Sequence, residues 1–204
     1  MVNSISKESL ADLPVEVFKG RIILVQSEAE AQKACEYLEK CDMIGFDTET
    51  RPAFKKGVTN KIALMQLSTD DTCFLFRMNI FGLPDCLADL LTNKNVKKIG
   101  LSLKDDFSAI RKRKPIIPSN FIELQTFVKR YGIEDNSLQR IYGILFGKRI
   151  SKGQRLSNWE ADTLSDAQKM YASIDAWACL RIYKELKDST PPDLTKAETD
   201  NLTE

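Results

Sequence analysis

Five side chains in this sequence could do chemistry together: Asp47, Glu49, Asp106, Tyr171 and Asp175. Asp47 and Glu49 end the apolar run Met43-Ile44-Gly45-Phe46. In a strand, residues i and i+2 point to the same side, so both carboxylates aim at one region of space. Like charges held that close repel, and a cation between them or contact with water relieves the repulsion. Tyr171 and Asp175 stand at i and i+4, on one helix face that Cys179, Ile182 and Leu186 continue. That face should pack on a sheet, which turns Asp175 inward, where a carboxylate is costly unless ion-paired or bound to a metal. Asp106 follows a strand ending at Leu101, in the region where α/β sheets hold ligands. Each feature also has an ordinary reading: a solvated turn, a buried ion pair, an acid favoured by a helix dipole. As an ordered set they are more specific.

Composition removes several alternatives. The chain of 204 residues contains no histidine. A Ser-His-Asp triad, a Cys-His pair and H-E-x-x-H zinc are therefore excluded, and acid-base work falls to carboxylates, Tyr, Lys or metal-bound water. Cys35, Cys41, Cys73, Cys86 and Cys179 are odd in number and never in C-x-x-C spacing, which predicts free thiols. No apolar run approaches the roughly 18 residues of a membrane span, and the polar N-terminus lacks a signal-peptide core, so a cytoplasmic location is expected. Net charge is +1, but residues 188–204 hold five acids and one base, a net −4 that leaves +5 on the remainder.

The elements that must position these residues follow from pattern. After a polar leader over residues 1–20, Arg21–Val25 reads as a strand, and Ser27 with Glu30 opens a helix to about Lys40. Asp42–Phe46 is apolar enough to be a strand covered on both faces. Ile62–Leu67 and Cys73–Phe76 flank the turn residues Ser68-Thr69-Asp70-Asp71 and predict an antiparallel hairpin. A helix over Pro84–Leu91 and a strand over Val96–Leu101 come next. Ser102 and Asp105 have capping-box spacing, which predicts a helix running to Arg111-Lys112-Arg113-Lys114, with those cations at a solvated end. A short strand at Phe121–Leu124, short helices at Leu124–Tyr131 and Ser137–Phe146, and a long helix capped by Ser165 and Gln168 complete the domain over residues 21–187. Residues 188–204 read as an acidic, disordered tail. The pattern gives an α/β fold with a mixed central sheet flanked by helices.

The ordered set Asp47-x-Glu49, Asp106 and Tyr171-x-x-x-Asp175 resembles the DEDD superfamily of 3′-to-5′ exonucleases, in its tyrosine-containing branch. Lys61-Ile-Ala-Leu-Met-Gln-Leu, Lys97-Lys-Ile-Gly, Asn120-Phe-Ile-Glu-Leu, Leu145-Phe-Gly-Lys, Ser157-Asn-Trp and Tyr171-Ala-Ser-Ile-Asp-Ala extend the resemblance to exonuclease domains of the Werner type over about Asp42 to Leu186. The resemblance implies a ribonuclease H-like fold and two divalent ions, Mg²⁺ or Mn²⁺. It also implies roles: Asp47 bridging both ions, Glu49 and Asp175 completing one site, Asp106 holding the second, and Tyr171 orienting the attacking water. Hard carboxylate oxygens suit Mg²⁺, and two ions roughly 4 Å apart can activate water and stabilise a leaving oxygen.

The implied substrate is nucleic acid with a 3′ end, DNA favoured and RNA as the alternative, with a helicase or further copies of the chain as partners. Cations flank both ends of the motif set: Arg51, Lys55, Lys56 and Lys61 on one loop, Lys148, Arg149, Lys152 and Arg155 on another. Arg51, Lys152 and Arg155 are the candidates for phosphate contacts, and Phe54 for stacking on a terminal base. Two other readings stand beside this one. A non-catalytic binding module on the same fold would lack a metal carboxylate, and a haloacid-dehalogenase-type phosphatase would carry Asp, not Glu, at position 49.

Overall fold

The computed structural model describes residues 3–53 and 60–191. In chain order its elements are α1 (Lys7–Asp12), β1 (Arg21–Val25), α2 (Glu28–Leu38), β2 (Met43–Thr50), β3 (Ile62–Ser68), β4 (Thr72–Phe76), α3 (Met78–Phe81), α4 (Asp85–Thr92), β5 (Lys97–Gly100), α5 (Leu103–Arg113), β6 (Phe121–Glu123), α6 (Leu124–Lys129), α7 (Leu138–Phe146) and α8 (Asp166–Lys187). The strands form one mixed sheet in the order β1-β4-β3-β2-β5-β6. Strand β3 runs antiparallel to both its neighbours, and the other pairings are parallel.

Alternation along β2 sorts its side chains between two helical layers. Ile44 and Phe46 enter a core with α2, α4 and α5. Gly45, Asp47 and Glu49 face the other way, towards α8, whose Ala178, Cys179 and Ile182 belong to the second core with α6 and α7. Gly45 sets how close α8 can come, because a methyl there would sit 1.9 Å from the Ala176 carbonyl oxygen. Only a glycine permits that approach. It brings Asp175, the neighbour of Ala176, against the strand that carries Asp47.

Strand β2 outruns its partner on one side. Pairing with β5 spans Met43 to Gly45, whereas pairing with β3 continues to Thr50, with a register slip between Glu49 and Thr50. A crevice therefore opens beside Asp47 and Glu49, at the carboxyl ends of β2 and β5, where α5 begins.

Three sequence expectations are corrected. The polar leader is part of the folded body: Glu16 and Phe18 are buried, and the Glu16 carboxylate accepts from Tyr142 Oη at 2.8 Å, Arg181 Nη1 at 2.9 Å and Lys148 Nζ at 3.1 Å. A charged residue in a polar segment gave no sign that it would be buried and paired three ways. Strand β2 extends past Phe46 to Thr50, because β3 supplies its hydrogen bonds there. Ser102 does not cap α5. It takes a left-handed conformation, φ 63°, without a side-chain cap bond. The Glu123 carboxylate, from the end of β6, accepts instead from the Ser102 N–H at 3.0 Å and the Leu103 N–H at 2.8 Å. At α8 the reciprocal Ser165 and Gln168 box forms as its spacing predicts. All five cysteines are free.

Candidate active site

Asp47 and Glu49 from β2 meet Asp175 from α8, each offering one oxygen within 4.8 Å of the other two. Asp175 is buried, while Asp47, Glu49 and Asp106 are partly exposed at the crevice. The Tyr171 hydroxyl, one helical turn before Asp175, is hydrogen-bonded to its carboxylate. Asp106 arrives from the opposite layer. Its carboxylate accepts from the hydroxyl of Thr48, the one residue of the Asp-Thr-Glu run that points towards α5. The four acids thus gather around one strand end, three on the α8 side and the fourth across the strand.

Electrostatics show how little of this negative charge the protein itself balances. Burial raises Asp47 well above its ordinary value, with Asp175, Glu49 and Asp106 adding repulsion. Burial and the charges of Asp175 and Asp106 push Glu49 up to about 8. Burial pushes Asp175 up to about 7, against the Tyr171 hydrogen bond and the field of Lys152. Asp106 rises to about 6 by burial, held back by the Thr48 hydrogen bond. Tyr171 is itself raised by burial and by the acids around it, so its phenol stays protonated and serves as a donor, not a base. Among the described residues none of the four carboxylates forms a salt bridge, so the ion-pair reading of Asp175 finds no partner. An all-oxygen donor set with excess negative charge fits hard divalent cations such as Mg²⁺ or Mn²⁺.

The sequence-predicted nucleic-acid contacts divide. Arg51 lines a cavity of about 450 Å³ with Thr48, Glu49, Asn60, Asp106 and Lys112, and its guanidinium pairs with Glu160 at 3.5 Å. That pair joins the loop after β2 to the loop before α8. Lys152 is exposed and its charge reaches Asp175. Arg155 is exposed, with its backbone N–H bound to the Lys152 carbonyl. Phe54, Lys55 and Lys56 lie outside the described residues. Lys148 and Arg149 turn away from the site to bind Glu16 and the Leu13 carbonyl. Trp159 is fully buried and packs on Tyr171, ring centroids 6.0 Å apart.

Two contributors escaped sequence reasoning. Lys112, assigned to a solvated helix end, stands two turns after Asp105 on the same face, and helical spacing carries it to the cavity beside Asp106. Glu123 positions α5, and hence Asp106, from 17 residues further along the chain; the apparent Ser102 box hid it. A glutamate between a short strand and a helix was the available signal, since it also caps the Gln125 N–H at 3.1 Å.

Known proteins resemble this chain in sequence and fold. The sequence family described as 3′-5′ exonuclease matches residues 22–191. The mouse bifunctional 3′-5′ exonuclease/ATP-dependent helicase WRN is 31% identical over 193 residues, an alignment covering 89% of this chain and 14% of the mouse protein. A 3′-5′ exonuclease of Arabidopsis thaliana is 28% identical over 87% of this chain and 67% of its own length. Among solved structures, the Nibbler EXO domain of Aedes aegypti superposes with a TM-score of 0.77 at 22% identity, covering 90% of this chain and 99% of that one. Escherichia coli RNase D superposes at 0.74 and 17% identity over 90% of this chain and 47% of that one. The mixed sheet with its flanking helices is the ribonuclease H-like fold of those domains, and by sequence match and fold alike the chain belongs to the DEDD 3′-5′ exonuclease family.

Proposed function

We propose that this protein is a divalent-metal-dependent 3′-to-5′ exonuclease that hydrolyses the 3′-terminal phosphodiester of DNA, with RNA as the second substrate, and releases nucleoside 5′-monophosphates. The observation that carries this reading is the convergence of Asp47, Glu49 and Asp175 within 4.8 Å, with no salt-bridging cation among the described residues. In this reading Asp47, Glu49 and Asp175 would hold one ion, and Asp47 with Asp106 would hold the other. When bound, two such ions lower the pKa of a water and neutralise charge on the leaving oxygen. The chain's own residues do the rest. Tyr171, kept protonated by its surroundings, orients the attacking water. Water oxygen joins the terminal phosphorus, the bond to the preceding 3′ oxygen breaks, and the phosphate leaves with the released nucleoside. Arg51, Lys112 and Lys152 bring positive charge to the rim for the strand's phosphates, Arg155 extends it, and Phe54 is the proposed stacking residue.

All four metal carboxylates are present, which argues against a silent binding module. The Werner-type motifs favour DNA. RNA stays in the proposal because the fold neighbours include Trypanosoma brucei RNase D in complex with RNA U12. A cytoplasmic site of action and a helicase or second copy as partner complete the reading. The test is a set of matched 5′-labelled DNA and RNA oligonucleotides with recessed, blunt and overhanging 3′ ends. A ladder shortening from the 3′ end in Mg²⁺ or Mn²⁺ and absent in EDTA is expected. Binding without degradation in Mn²⁺ would favour the silent module, and turnover of a small phosphomonoester alone would point to a phosphatase.

A further inference from the structure

Strand β3 is buried along its whole length, and its run Ile62-Ala63-Leu64-Met65-Gln66-Leu67 is apolar at every position but one. Gln66 is fully buried, and neither its Nε2 nor its Oε1 has a hydrogen-bond partner among the described residues. A buried carboxamide with both ends unpaired is costly, and a leucine or methionine would fill the position without that cost. The register shows what surrounds it. Gln66 pairs with Asp47 on β2 and with Leu75 on β4. Directly opposed residues of antiparallel strands share a face, with Cβ atoms about 4.5–5.5 Å apart. Along β3 the same-face neighbours are Leu64 and Ser68, and the Ser68 hydroxyl is already bound to the Thr69 carbonyl at 2.9 Å. Asp47 is the carboxylate directly opposite the Gln66 carboxamide.

We propose that Gln66 is a positioning residue for Asp47: its Nε2 donates to the Asp47 carboxylate when the cage holds its cations, fixing which oxygen faces them. This inference rests on the metal-cage reading above. A ligating carboxylate is held in place by hydrogen bonds from residues behind it, and loss of such a partner weakens metal binding by about 10–100-fold. Gln66 acts through Asp47 and touches neither substrate nor ion.

The test uses the full chain carrying Gln66→Met, a swap of similar volume that removes only the carboxamide, with Gln66→Leu as a second variant and Leu64→Met as a repacking control on the same face. Mn²⁺ binding is measured by calorimetry, melting in EDTA by circular dichroism, and kcat and KM on a 5′-labelled oligonucleotide. The expected result is Mn²⁺ affinity lowered about tenfold and kcat lowered similarly, with KM unchanged and the melting temperature in EDTA equal to or above wild type. Leu64→Met should bind Mn²⁺ as wild type does. Wild-type Mn²⁺ affinity in both Gln66 variants, or an equal loss in Leu64→Met, would overturn the role of Gln66 alone. A wild-type protein that neither binds Mn²⁺ nor shortens the oligonucleotide would overturn the metal cage and this proposal with it.

Discussion

The Thr48 hydroxyl donates a hydrogen bond to the Asp106 carboxylate, so the middle residue of Asp-Thr-Glu ties β2 to the first turn of α5. Alternation sends Asp47 and Glu49 to one side of the strand and Thr48 to the other. One short run thus reaches all the acids of the site, two by carrying them, one through α8 and one through this bond.

Thr48→Val keeps the shape and removes the donor. Asp106 then loses its anchor, and kcat should fall about tenfold, the usual effect of removing a partner from a ligating group. Stability should change by no more than about 1 kcal/mol. Steady-state kinetics with parallel urea unfolding checks both, and a wild-type kcat would show that Asp106 is held by other means.

Glu123 makes a second prediction about the same helix. Its carboxylate accepts from the Ser102, Leu103 and Gln125 N–H groups, so Glu123→Ala leaves three donors without that acceptor. A loss of about 1–2 kcal/mol is expected, in the range of a lost helix cap, with reduced kcat because Asp106 sits on the turn that loosens. Ser102→Gly should instead raise stability, since a left-handed non-glycine residue costs roughly 1–2 kcal/mol. Chemical denaturation of the two variants should move in opposite directions.

These two residues also mark where the sequence stopped being readable. Strand β2, the hairpin of β3 and β4, and helix α8 announce themselves through apolar runs, turn residues and a capping box, all of which are local signals. That Asp47 shares a side with Glu49, and Tyr171 a helix face with Asp175, was equally legible, because i+2 and i+4 spacing fix those pairs; that the two groups meet was implied only by the family resemblance. Glu123 and Glu16 were not legible. Each acts across a long stretch of chain, and its partner is decided by strand order and by how elements dock, whereas Lys112 was missed although its helical spacing from Asp105 is local. Gly45 was read as one more residue of an apolar strand, although its missing side chain is what admits α8. Asp106 was read from its place after the strand ending at Leu101, which gave no sign of its bond to Thr48.

The acids make stability depend on pH. Glu49, Asp175 and Asp106 titrate near 8, 7 and 6 in the fold, all above ordinary carboxylates. Between about pH 4 and 8 the folded state therefore binds more protons than the unfolded one, so stability falls as pH rises through that window, and Asp47, raised in the same direction, adds to the fall. Melting in EDTA should show a falling midpoint from pH 5.5 to 8. Mn²⁺ competes with those protons, so its stabilisation should grow over the same range; at about 100 times Kd it is worth about 2.7 kcal/mol per site. A midpoint in EDTA that rises from pH 5.5 to 8 would contradict the raised values.

The proposed role of the cage of Asp47, Glu49, Asp106 and Asp175 is metal-dependent hydrolysis from the 3′ end. Its most direct test is digestion of a 5′-labelled DNA oligonucleotide in Mn²⁺ by the wild-type chain and by Asp47→Asn and Asp175→Asn, with released products identified by chromatography. Wild type should give a 3′-shortening ladder and nucleoside 5′-monophosphates, and neither variant should give a ladder even though both fold. A ladder that persists in Asp47→Asn or Asp175→Asn would contradict that role.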